Sequence, residues 1–262
     1  VRPVLALLLA LLLAAGCSGR ADEKAISQAR ELLSAGKTLE ASQAFEDFIR
    51  RHPESDHLPE ALFGLAQATR LGQGEVKEAL RIYQRLVDLF PNHRLAPSAL
   101  EKMVEIYCGP MADWPAAVQT LSRLERDYET STGQGDYYQE RIAFAYFMME
   151  DYEKSRQAYQ ELLERYPESG FKERALIGLA DTYYVQDNLA QAIVAYQDAL
   201  KSCPQGQLHE RVRFRVANCL EEEGRLKEAR QIYRELLKTY DNPEAVKIRL
   251  SGVENRLKKG AP

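Results

Sequence analysis

Little in these 262 residues points to catalysis. The four histidines, His52, His57, His93 and His209, are scattered, with no HExxH and no pair at metal-ligand spacing beside a carboxylate set. They read as solvated loop residues, with His209 opening a helix. No GxSxG nucleophile turn and no phosphate-cradling GxxxxGK occurs. These absences set aside the zinc-hydrolase, serine-hydrolase and P-loop classes. The expectation is a protein that is not an enzyme, with no catalytic residue, no metal and no cofactor. Like charges are not blocked together: the net charge is -4 with both signs interspersed, so the footprint of a nucleic-acid binder is missing. Cysteine is scarce and never in CxxC spacing. Apart from Cys17 there are Cys108, Cys203 and Cys219, an odd number that cannot all pair internally. They read as small buried hydrophobes, although an oxidising compartment would permit one bridge.

Three local features could mislead. Glu221-Glu222-Glu223 is an acidic run, but successive helix residues point about 100° apart and cannot converge on one atom, so it reads as a solvated face. Gly133-Gln134-Gly135 reads as a flexible interhelical loop, and Trp114 as packing at a turn. The overall composition, 45% hydrophobic and 28% charged, is that of an ordinary globular chain.

The first residues differ from the rest. Val4 to Ala15 is uncharged and apolar over about twelve residues, well short of the ~20 that span a bilayer as a helix. With Arg2 as a basic n-region it reads as a signal peptide. The run ends Leu13-Ala14-Ala15-Gly16-Cys17, which resembles a bacterial lipobox; an ordinary signal peptide with a chance cysteine is the other reading. The resemblance implies a signal peptide over 1–16, a lipid on Cys17 and a lipidated tether over 17–23. It implies several acyl chains, enough for stable anchoring. By the same resemblance, Ser18 directs the protein to the periplasmic face of the outer membrane.

Beyond the tether one motif recurs six times. Its second helices carry Phe45, Tyr83, Leu121, Tyr159, Tyr196 and Tyr233, spaced 38, 38, 38, 37 and 37 residues apart. Four residues earlier stand Ala41, Ala79, Ala117, Ser155, Ala192 and Ala229. Small and large residues four apart share a helix face, so the small one admits a neighbouring helix and the large one plugs the gap beside it. Pro53, Pro91, Pro167 and Pro204 stop the helix, having no N–H to donate and disfavouring helix in the residue before.

First helices show apolar stripes at i, i+3, i+4, i+7. These are Leu62, Leu65 and Ala66; Leu100, Met103, Val104 and Tyr107; Ile142, Ala143 and Tyr146; Leu176, Leu179, Ala180 and Tyr183; and Val216, Ala217 and Leu220. In the first repeat Ala25, Ala29 and Leu32 form a weak one. Gly36 and Gly224 fall where a left-handed residue ends the first helix. Longer loops, His52 to Leu58 and Thr130 to Asp136, absorb a period longer than ~34.

This pattern resembles the tetratricopeptide repeat family over residues 22–243. The implied fold is all-α: a right-handed superhelical solenoid of six tetratricopeptide-type helical hairpins over 24–243, plus a C-terminal capping helix and tail over 244–262. In the capping segment Val246, Leu250, Val253 and Leu257 are spaced 4, 3 and 4. By register with the family, a partner-binding groove is implied at Tyr137, Phe144, Phe147 and Met148; at Arg174, Ile177, Asp181, Tyr184 and Val185; and at Arg211, Phe214 and Asn218. Arg174 and Arg211 are the candidates to pair a peptide carboxylate.

The lipobox, the short tether and the repeat ends Arg-Arg-His-Pro-Glu-Ser (50–55) and Glu-Arg-Tyr-Pro-Glu-Ser (164–169) together resemble the BamD-like family of barrel-assembly lipoproteins. That resemblance implies a scaffold for other proteins or peptides, a barrel-assembly subunit among them, that works in outer-membrane β-barrel assembly. Two alternatives remain within adaptors: a CpoB-like coordinator of peptidoglycan synthesis or constriction, and a secretin pilot lipoprotein.

Overall fold

The computed structural model describes residues 21–72, 74–205 and 208–260. The signal peptide and Cys17 lie outside the described residues, as does most of the tether. Thirteen helices and no strand are found among the described residues. The first, α1, is described over 21–34. Then follow α2 (Thr38–Arg51), α3 (Leu58–Gly72), α4 (Val76–Leu89), α5 (Leu95–Cys108), α6 (Trp114–Thr132) and α7 (Gly135–Met148). The rest are α8 (Tyr152–Arg165), α9 (Lys172–Tyr184), α10 (Leu189–Ser202), α11 (His209–Glu222), α12 (Leu226–Leu236) and α13 (Pro243–Lys258). They form two compact units that divide between Leu124 and Glu125, inside α6. None of these helices is long and apolar enough to cross a membrane.

The alternating small and large residues of the second helices explain the packing in each unit. In the first, Ala41, Phe45, Ala79 and Tyr83 are all fully buried. In the second, so are Ser155, Ala192, Tyr196, Ala229 and Tyr233, and Tyr159 is 4% exposed. Each such aromatic contributes roughly 1.5–3 kcal/mol by leaving water. Two of these rings lie on a glycine nineteen residues later in the next first helix. A Cβ on Gly64 would stand 2.3 Å from Phe45 Cζ, and one on Gly178 would stand 2.3 Å from Tyr159 Cζ. Neighbours in sequence therefore pack as neighbours in space: α2 to α5 in succession in the first unit, α7 to α13 in the second.

Helix ends follow the same repeat. Each proline stop is preceded by a C-cap residue in one geometry: His52, Phe90, Tyr166 and Cys203 all have φ between -133 and -129° and ψ between 56 and 65°. A residue before proline is pushed out of the α region, and these four are. Asp151, Asn188 and Asn242 cap α8, α10 and α13 by accepting from Lys154, Gln191 and Ala245 N–H. Inside the hairpins, Gly36 and Gly224 take φ of 74° and 80° as expected. Ala112, Glu150 and Asp187 take left-handed φ of 49°, 59° and 58° without being glycine.

Several expectations are corrected. The Thr130–Asp136 loop shrinks to Gly133 and Gln134, because no proline follows α6 and the helix runs on until Gly133 turns left-handed at φ 65°. The stripe of α1 is Asp22, Ile26 and Ala29, all buried, rather than Ala25, Ala29 and Leu32. Ile177 is 7% exposed and sits in the core, since α9 packs against both α8 and α10 and has two inward sides. The acidic run is a solvated face only in part: Glu222 and Glu223 are exposed, but Glu221 is 9% exposed, accepts from the Tyr233 hydroxyl at 2.9 Å, and lies 3.8 Å from both Arg249 and Arg256. The loop histidines are partnered rather than free. His52 stacks on Phe48 and meets Asp22 at 2.9 Å, and His57 meets Glu60 at 2.8 Å.

Candidate functional site

The second unit holds a concave pocket of about 710 Å³. Two helix faces build most of it. Asp181, Tyr184 and Val185 come from α9 and its end, at i, i+3, i+4. Arg211, Phe214, Arg215 and Asn218 come from α11, at i, i+3, i+4, i+7. Those spacings put each set on one side of its helix. Phe147 of α7, Tyr196 of α10, and Tyr240, Asp241 and Asn242 between α12 and α13 complete the lining.

Of the twelve expected groove residues, the pocket therefore gathers Phe147, Asp181, Tyr184, Val185, Arg211, Phe214 and Asn218. The other five lie elsewhere. Tyr137 packs its ring against Tyr138 and Phe171, each 5.8 Å away. Phe144 lies under Arg141, whose guanidinium is 5.3 Å from the ring centroid. Met148 ends α7, 43% exposed, and Ile177 is core. Arg174, half-exposed, lies outside the pocket lining and pairs with Glu140 at 2.7 Å.

That pair is one step of a series the sequence did not suggest. An acid on one first helix meets an arginine on the next inner helix: Glu140 with Arg174, Asp181 with Arg215, Glu221 with Arg256. The first two steps span 34 residues and the third 35. In the first unit Arg70 and Glu105 meet at 3.9 Å, also 35 apart, with the signs reversed. Two plug tyrosines add their hydroxyls: Tyr196 donates to Asp181, and Tyr233 lies against Asn218 and Glu221. Burial, then the neighbouring carboxylate, pushes the hydroxyls of Tyr196 and Tyr233 well above the usual phenol range. Burial alone holds the Glu140 carboxyl above its ordinary value against the pull of Arg174 and Arg141.

The pocket wall is aromatic. Phe214 stacks on Tyr240 with centroids 4.9 Å apart and planes 15° from parallel, and meets Tyr233 at 5.8 Å. Tyr184 is 37% exposed and its hydroxyl bonds Glu222 at 3.2 Å. Sequence reasoning missed Arg215, Tyr196 and the Tyr240–Asn242 loop. Arg215 was within reach, since it is four residues after Arg211 on the same face. The loop carries no periodic signal. Among the described residues, no group of three or more His, Cys, Asp or Glu side chains could hold a metal ion.

Comparison with known proteins agrees with this architecture. Family models described as tetratricopeptide repeat match residues 26–94, 137–205 and 186–249, together more than half of the chain. The aspartyl/asparaginyl beta-hydroxylase of Mus musculus is 28% identical over 159 residues, 56% of this chain. The chain spans only 20% of the length of that relative. Among solved structures, a tetratricopeptide repeat protein from Parabacteroides merdae has a TM-score of 0.56 at 14% identity, covering 90% of this chain and 99% of that one. The C-terminal part of a tetratricopeptide repeat-containing protein from Cytophaga hutchinsonii has a TM-score of 0.64 at 15% identity, covering 86% and 87%. The Naa15/Naa10 structure bound to HypK-THB has a TM-score of 0.63 at 17% identity, covering 88% of this chain and 34% of that one. At such identities the likeness is one of fold. The helical hairpins and the three family matches lead to one conclusion: this chain belongs to the tetratricopeptide repeat family, whose repeats are scaffolds for binding other proteins.

Proposed function

We propose that this chain is a non-catalytic scaffold, held at the periplasmic face of the outer membrane by a lipid on Cys17, that binds other proteins through the pocket of its second unit during outer-membrane β-barrel assembly. The observation that carries the binding role is the pocket itself. Tyr184 and Val185 at the end of α9 stand 37% and 44% exposed in it, beside Phe214 of α11, which packs on the core from the same wall. Exposed apolar surface rimmed by polar groups is where protein partners dock. Anchoring rests on the apolar run Val4–Ala15 followed by Gly16-Cys17. The pathway rests on the resemblance of the repeat ends at 50–55 and 164–169 to the barrel-assembly lipoproteins.

The test is an affinity pull-down of the full-length protein from gently solubilised outer membranes, beside a Tyr184→Asp/Val185→Asp variant and a Cys17→Ala variant. Recovery of a barrel-assembly subunit by the parent, with loss in the double variant, is the expected result. Release of Cys17→Ala into the soluble fraction is expected alongside it. Recovery of a secretin or of cell-wall synthesis proteins would keep the scaffold and replace the pathway. Capture unchanged by the double variant would overturn the pocket as the binding site.

A further inference from the structure

We infer that the first unit stands edge-on to the membrane, seating Pro53, Leu89 and Phe90 among the lipid headgroups while its hairpin turns point away. This rests on the reading of Cys17 as the lipidated residue and adds which surface of the protein the lipid layer meets.

The start of α1 fixes the geometry. Asp22 meets His52 at 2.9 Å, and His52 caps the end of α2 and stacks on Phe48. The first turn of α1 is thereby held beside the last turn of α2. Cys17 comes four residues before Ala21. Four residues reach about 14 Å at full extension. A diacylglycerol on Cys17 puts that residue at the boundary of headgroups and acyl chains. The edge where α1 begins and α2 ends is therefore kept within that reach of the membrane.

The same edge carries apolar surface. Pro53 follows His52 in the chain, and with Ile49, Leu89 and Phe90 it lines a recess of about 530 Å³. Leu89 is 53% exposed at the end of α4, and Phe90, the C-cap, is half-buried. Burial of such side chains is what drives interfacial binding. Charge adds no pull. Arg85 in the recess is outnumbered by Glu54 and Asp56, and nearby Arg50, Arg51 and Arg94 are paired with Asp47 and Glu60. The contact is apolar and indifferent to the charge of the lipid.

Two other exposed leucines compete for this role. Leu39 and Leu71 are 57% and 63% exposed at the opposite, hairpin-turn edge, where Thr38 lies against Gly72. Helix α1 runs from one edge towards the other over 21–34, about 20 Å at 1.5 Å per residue. The turn edge reaches the lipid only if the unit lies on a flank. The α4 flank would press Lys77, Arg81, Arg85 and Asp88 onto it, and the α3 flank Glu60, Gln67 and Arg70 around a single ring, Phe63. Exposure alone selects the turn edge, whereas the short tether selects the other.

The experiment reconstitutes the acylated full-length protein in phosphatidylcholine vesicles. In a Trp114→Phe background, which removes the one native tryptophan, a single tryptophan is placed as Leu89→Trp or as Leu71→Trp. Both sites are exposed, so neither ring disturbs the core. Fluorescence is compared between vesicles with and without bromine on the acyl chains. Leu89→Trp is expected to be quenched roughly twofold, as a ring seated at the headgroup boundary. Leu71→Trp is expected to be unchanged. Adding phosphatidylglycerol is expected to alter neither reading.

Vesicle flotation and the mass of the N-terminal peptide are recorded on the same samples. Quenching at Leu71→Trp, none at Leu89→Trp, or quenching that requires phosphatidylglycerol overturns the inference, while an acylated protein that floats keeps the anchor reading. A protein that carries no acyl chain, or that fails to float, brings down both.

Discussion

The ring of Tyr159 rests on the bare backbone of Gly178, so close that a Cβ there would come within 2.3 Å of its Cζ. The tyrosine is 4% exposed and packed, so its ring cannot swing away into water. Gly178→Ala is therefore expected to lower stability by about 1–3 kcal/mol through overpacking, although alanine is the better helix former. Gly252 is the matched control, since it lies inside α13 with nothing within 4 Å of its would-be Cβ. Gly252→Ala is expected to raise stability by about 0.5–1 kcal/mol. Denaturant melts of the two variants check both signs.

Glu150 and Asp187 occupy, at φ 59° and 58°, the left-handed turn position that Gly36 and Gly224 fill elsewhere. A side chain there is strained by ~1–2 kcal/mol, against ~0.5–1 kcal/mol for the extra chain entropy that glycine loses on folding. Glu150→Gly is expected to stabilise by about 0.5–1 kcal/mol, and Asp187→Gly by less, because aspartate tolerates this conformation better. Thermal denaturation in both variants, read against the parent, gives the comparison.

Glu140 is 2% exposed, its Oε2 has no hydrogen-bond partner, and burial holds its carboxyl above the ordinary value. An acid whose pKa is raised in the folded state penalises folding once the pH is high enough to ionise it. The penalty is absent below the unfolded value of 4.5 and grows as pH rises through the folded value. Glu140→Gln is expected to gain on the order of 1 kcal/mol at neutral pH, leaving only the half-exposed Arg174 without its partner. That gain should vanish in acid. A stability difference that stays constant with pH would show that shape rather than charge is responsible.

The Cys219 thiol is fully buried, and burial, with Glu222 nearby, pushes its pKa up to about 12. The thiolate is the reactive form, so Cys219 is expected to resist alkylation at mildly alkaline pH until the protein is unfolded. Half-buried Cys108 should label sooner. Peptide-level mass spectrometry after timed labelling, with and without denaturant, measures the two separately.

The period of the repeat was legible because it is written in a few distinctive residues: a large plug, aromatic in five repeats and Leu121 in the third, a small partner four before it, and in four repeats a proline eight beyond. What the sequence left hidden were relations between repeats. Gly64 and Gly178 look like helix weaknesses until the rings of Phe45 and Tyr159 are seen to occupy the missing side chain's place. Ile177 lies off the single apolar stripe that the spacing of α9 suggests, yet it is core, because a helix packed between two neighbours has two inward sides. Glu221 looks solvent-exposed in its own helix because Arg249 and Arg256, which hold it, lie on a different one. The pocket followed the same rule. Its helix-borne residues Tyr184, Val185, Phe214 and Asn218 were found by register, while Tyr240 to Asn242 sit in a loop whose position depends on where α13 docks.

His52, Phe90, Tyr166 and Cys203 leave their helices at nearly one pair of backbone angles. A joint repeated so closely is also a splice point. Excising the stretch from Pro53 through Phe90 would bring the residue after one such joint onto the end of another, with no new bend to accommodate. Lengthening or shortening the array by whole periods therefore requires no invention at the seams, and the pocket at its far end could be carried forward while the number of hairpins before it changed.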